Sequence, residues 1–127
     1  MKRSVVSGLV LAALVALAAC HSDSGVPGVL SGTVTASAPQ TLGAAVLEVT
    51  GSGIQGFQGQ GGSVVYGALV DAQSKRYRMV VVGTGSLSFG VKVDNVNGHK
   101  PSVQVVSAVD DQNTSLPSSV VKVTLSN

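Results

Sequence analysis

The chain has 127 residues, 44% hydrophobic, 11% charged and 3% aromatic, with one cysteine and a formal net charge of +2. That is room for one domain, and its apolar content excludes a disordered chain, which cannot bury enough surface to offset chain entropy. A single cysteine excludes an internal disulfide and a cysteine-cluster metal site.

The chain begins MKRSVVSGLVLAALVALAAC. Lys2 and Arg3 followed by an apolar run from Leu9 to Ala19 form the n-region and h-region of a secretory signal. The run is shorter than the roughly 20 residues a helix needs to cross hydrocarbon, and the polar segment HSDSGVPG follows it. Its last residues, Leu17-Ala18-Ala19-Cys20, resemble the lipobox of bacterial lipoproteins: an apolar residue, two small ones, then cysteine. The resemblance implies cleavage between Ala19 and Cys20, with diacylglycerol on the Cys20 sulfur and often a third acyl chain on the freed amino group. Each buried methylene contributes about 0.8 kcal/mol to membrane partitioning, so two or three chains anchor durably where one does not. Ala16-Leu17-Ala18 also fits an ordinary signal cut after Ala18. That cut would leave Cys20 as an exposed thiol in an oxidising compartment, a liability that acylation removes. In the lipoprotein sorting rule, Asp after the cysteine favours the inner membrane. Here His21 stands there, so the expectation is the outer membrane.

With residues 1–19 removed, the bases Lys75, Arg76, Arg78, Lys92, Lys100 and Lys122 balance the acids Asp23, Glu48, Asp71, Asp94, Asp110 and Asp111. The positive charge belongs to the leader, so it argues for no nucleic-acid partner. Residues 20–28 read as the acylated cysteine and a Gly/Pro-punctuated tether, and residues 29–127 as a single β domain.

No helical period follows. Valine fills the apolar positions and period-two alternation recurs between turn residues, which predicts antiparallel strands. Seven are expected: 29–36, 44–50, 63–71, 76–82, 86–93, 102–109 and 118–125. The clearest sets Leu87, Phe89, Val91 and Val93 on one face, opposite Ser86, Ser88, Gly90 and Lys92. Tyr77, Met79 and Val81, and likewise Val121, Val123 and Leu125, alternate the same way, with one face in the core and the other wet. Gly83-Thr84-Gly85 reads as a tight hairpin, and Gly51 to Gly62 as a long connection that is either mobile or covers one sheet through Ile54 and Phe57. Seven short strands predict a two-sheet antiparallel sandwich, with a small barrel as the alternative. The stretches LGAAVLEVTGSGI, RYRMVVVGTGSLSFGVKV and PSVQVVSAVDDQN resemble small bacterial lipoproteins with cohesin-like or immunoglobulin-like domains. The resemblance implies the sandwich but transfers no binding residue.

Chemical motifs are sparse. Gly51-Ser52-Gly53-Ile54-Gln55-Gly56 matches G-x-G-x-x-G, but the continuation FQGQGG cannot start the helix whose amides would meet a pyrophosphate. His21 and His99 are the only histidines, and no serine lies in G-x-S-x-G. Asp110 and Asp111 are adjacent on a strand end and so point apart, which disfavours paired acid/base work. Asp94, Asn95 and Asn97, and Asp110, Asp111 and Asn113, carry oxygen ligands suited to calcium. The same residue types cap turns, and strand alternation puts the two clusters at opposite ends. No metal and no cofactor are expected. Lys75, Arg76 and Arg78 form a basic cluster suited to a solvated strand face or an anionic glycan.

Alternation also places loops 37–41, 72–75 and 94–100 at the end distal to the tether. Lys75, His99 and Lys100 are therefore the expected polar groups of a distal binding site. The functional expectation is a lipid-anchored, non-catalytic binding or structural module of the cell envelope. Its partners would be the membrane, through the lipid, and an envelope protein or glycan. The competing expectation is a metal-dependent or partner-dependent enzyme subunit at the same place.

Overall fold

The computed structural model describes residues 25–127; the leader, the Ala19–Cys20 junction and His21 lie outside the described residues. Eight strands follow in order: β1 Gly28–Ala36, β2 Leu42–Thr50, β3 Ile54–Gln60, β4 Val64–Asp71, β5 Arg76–Val82, β6 Leu87–Val93, β7 Ser102–Asp110 and β8 Val121–Ser126. They form two four-stranded antiparallel sheets, β3-β6-β1-β8 and β4-β5-β2-β7, packed face to face. The all-β sandwich predicted from the alternation is the observed architecture.

The alternating apolar residues build the space between the sheets. Leu87, Phe89, Val91 and Val93 of β6 are buried, as are Leu30 and Val34 of β1, Leu47 and Val49 of β2, and Met79 and Val81 of β5. Most are small, so close packing is reached by bringing backbone near to the few large side chains. Gly32 of β1 lies opposite Phe89 of β6, and a Cβ there would collide with the Phe89 ring. Burial of such side chains is worth roughly 1.5–3 kcal/mol each, the main term opposing chain entropy.

Three expectations are corrected. Residues 54–60, read as part of a long connection, are a strand, β3, paired along the edge of β6. Residues 83–85 do not close a hairpin. They carry the chain from β5 in one sheet to β6 in the other, and Gly85 supplies the positive φ of 84° that this arch needs. Among the described residues, only β4 and β5 are consecutive strands paired in one sheet.

The third correction follows from the first. An added strand reverses the chain once more, so every later loop moves to the other end of the sandwich. The end where β1 begins, here called the base, carries the β2–β3 turn, the β4–β5 turn and the β6–β7 loop. It is tied together by Gly51 N–H to Lys75 O (3.1 Å), Asp94 N–H to Gly53 O (3.0 Å) and Val96 N–H to Val26 O (2.8 Å). The far end gathers the β1–β2, β3–β4, β5–β6 and β7–β8 connections, joined by Gly85 N–H to Leu42 O (2.9 Å) and Asp111 N–H to Thr41 O (3.0 Å). Lys75, His99 and Lys100 are thus at the end where the described chain enters the fold, not distal to it.

Candidate functional site

The base is assembled from turns whose side chains bond the local backbone. Asn95 Oδ1 accepts the N–H of Val26 at 3.2 Å and of Asn97 at 3.0 Å, pinning the incoming chain to the β6–β7 loop. Asp71 Oδ1 accepts the N–H of Gln73 at 3.1 Å across the β4–β5 turn. The Ser74 hydroxyl, the Gln73 amide and, more weakly, the Arg76 charge favour the ionised carboxylate, so the Asp71 pKa lies below its ordinary value. Lys75 occupies the left-handed region in this turn, with φ 54°. Lys75, His99 and Lys100 are all exposed, on loops that flank Gly51: its amide bonds Lys75 O, and its Cα faces Pro101.

A shallow cleft of about 280 Å³ opens beside them, lined by Ser52, Asp94, Asn95 and His99 among others. Ser52, His99 and Asp94 are the residue types of a hydrolase triad. No hydrogen bond joins any two of them among the described residues, so the nucleophile–base and base–orienter contacts of such a site are not formed.

The other oxygen cluster lies at the far end. Asp110 Oδ1 accepts the amides of Gln112 at 2.9 Å and Thr114 at 2.8 Å, which folds residues 111–116 back over part of the β7 edge. Its carboxylate is directed at its own loop. Among the described residues, no three His, Cys, Asp or Glu side chains gather in one place.

The sequence reading missed the chemical difference between the two outer faces. On β3-β6-β1-β8 the outward residues are polar, Gln58, Gln60, Ser88, Lys92, Thr33 and Thr124, apart from the exposed Val29 of β1. On β4-β5-β2-β7 two consecutive rows are apolar, Val64–Val82–Ala44 and Tyr66–Val80–Val46, with Val106 of β7 nearby. Tyr66 is 70% exposed, Val64 50%, Val106 47% and Val82 42%. The expectation that the outward face is wet therefore fails for this sheet. The signal lay in VVYGALV and MVVV, apolar runs without the alternation that a solvated face imposes. One row further toward the base the face turns polar, where Arg78 and Glu48 form an ion pair at 3.1 Å.

A second apolar feature lies where the edge strands β3 and β4 meet. Phe57 and Tyr77 contact edge to face, centroids 5.6 Å apart at 70°, and with Ile54 and Leu69 they line a groove of about 280 Å³. Gly67 of β4 lies against the Phe57 ring, where a Cβ would collide.

Comparison with known families, curated proteins and solved structures finds no match to this chain.

Proposed function

We propose that the protein is a lipoprotein of the cell envelope: Cys20 carries the lipid, and the β-sandwich acts outside the cytoplasm as a non-catalytic binding or structural module. The observation that carries the binding role is the apolar outer face of β4-β5-β2-β7. Contiguous apolar surface on one sheet, beside a polar outer face on the other, marks an interaction site. The chemistry of that face favours a protein partner over a glycan, because a sugar-binding platform needs exposed aromatic rings and Tyr66 is the one aromatic on it. The anchor rests on the lipobox residues Leu17-Ala18-Ala19-Cys20, and His21 favours the outer membrane.

Detergent phase partitioning tests the anchor. The native protein is expected in the detergent phase and Cys20→Ala in the aqueous phase; an unchanged distribution overturns acylation.

The competing reading is a metal-dependent or partner-dependent enzyme subunit at the envelope; Ser52, Asp94 and His99 share one cleft but form no hydrogen bond with one another among the described residues. An active-site-directed serine probe separates the two. The binding reading expects no adduct at Ser52, and an adduct abolished by His99→Ala replaces it with a hydrolase.

A further inference from the structure

We propose that the base of the sandwich docks on an anionic lipid bilayer, so that the anchored domain stands base-down on the membrane. This rests on the acylation of Cys20 proposed above.

The first observation is a polarity of charge along the strands. Lys75, Arg76, Lys92 and Lys100 lie at or near the base against Asp71, Asp94 and, on the segment that leads into it, Asp23, a net of one positive charge. The far end carries Lys122, Asp110 and Asp111, a net of one negative charge. Arg78 and Glu48 neutralise each other between the two ends. A chain with almost no net charge is therefore a dipole whose positive end is the base, and Lys75, Lys92 and Lys100 present it to solvent.

The second observation is the length of chain between anchor and fold. Val26 is fixed to the β6–β7 loop through Asn95 and Val96. Six peptide units separate it from Cys20, a reach of about 20 Å at full extension. An acyl group on Cys20 thus keeps the base within about 20 Å of the headgroups.

These two facts act together. Each basic residue close to an anionic surface contributes about fivefold to association, an effect confined to roughly one Debye length, about 8 Å. One net charge would be weak for a free protein. On a short tether the local concentration is high, and a weak patch is enough to bias orientation. Base-down docking also sets the strands upright, leaving the apolar face of β4-β5-β2-β7 open sideways to a partner in the same membrane.

The test uses the full acylated protein on vesicles of phosphatidylcholine, with or without phosphatidylglycerol, carrying a headgroup quencher. A fluorophore is attached at Ser52→Cys at the base or Thr84→Cys at the far end, the introduced cysteine being the only free thiol once Cys20 is acylated. The inference expects phosphatidylglycerol to raise the docked-to-free ratio about fivefold, the effect of one net charge, with quenching of the base label alone. Raised salt should abolish the difference without any substitution, and Lys75→Glu with Lys100→Glu should do the same. Equal quenching of the base label in both lipids, in protein that floats with the vesicles, overturns the docking surface and leaves the anchor standing. Failure to float overturns both.

Discussion

Gly32 of β1 and Phe89 of β6 face each other across the inner surface of one sheet, and the Phe89 ring fills the space a side chain at residue 32 would need. Phe89 is the largest fully buried side chain, so this pairing sets how closely the two sheets approach. Gly32→Ala should overpack the core at a cost of about 1–3 kcal/mol, lowering the thermal midpoint by roughly 5–15 °C. Adding Phe89→Leu should recover part of that loss. A midpoint unchanged by Gly32→Ala would show that the core yields freely at this point.

β3 is an edge strand, paired on one side with β6, and on the other Phe57 packs against Tyr77 and Gly67. Phe57 is only half-buried, so Phe57→Ala should cost about 2 kcal/mol, below the 3–5 kcal/mol of a fully buried ring. Hydrogen exchange should localise the effect. Amides of β3 exchange faster in the variant, while those in the β1–β6 ladder keep their protection.

Asp71 gives the fold a defined acid sensitivity. Its folded-state pKa is lowered, first by the Ser74 hydroxyl, so its contribution is complete above the ordinary value of 3.8 and is lost as pH falls through the lower folded value. Asp71→Asn keeps the oxygen that accepts the Gln73 amide and removes the titration. Between about pH 5 and pH 3 the native protein should therefore lose more stability than this variant; parallel profiles in denaturant melts would contradict the assignment.

The apolar face should be replaceable without harm to the fold. Tyr66→Ser with Val82→Thr alters side chains that point outward and are exposed, so stability should change by no more than about 0.5 kcal/mol per site. Cross-linking in intact cells should yield a protein adduct with the native face and lose it in the double variant. Adducts of equal yield would place the contact elsewhere.

How much of this was legible in the sequence depended on local pattern. β6 was plain because Leu87, Phe89, Val91 and Val93 alternate without interruption and all four are buried. β3 was hidden for a physical reason. A bulge between Ile54 and Gly56 sets Ile54 and Phe57, three residues apart, on the same inner face, and so breaks the period of two. Its glycines and glutamines add no strand propensity. One missed strand then inverted the ends assigned to Lys75, His99 and Lys100, although it left the Asp94 and Asp110 clusters at opposite ends as expected. At residues 83–85 the glycines announced a sharp reversal but not its destination, because turn chemistry is the same whether the next strand pairs in the same sheet or crosses to the other.

Intact-mass measurement of the polypeptide purified from its native membrane bears most directly on the account. The expected product begins at Cys20 and carries a diacylglyceryl thioether, with or without a third acyl chain. A polypeptide that retains residues 1–19, or one that begins at Cys20 or Ala19 without glyceride, would contradict it.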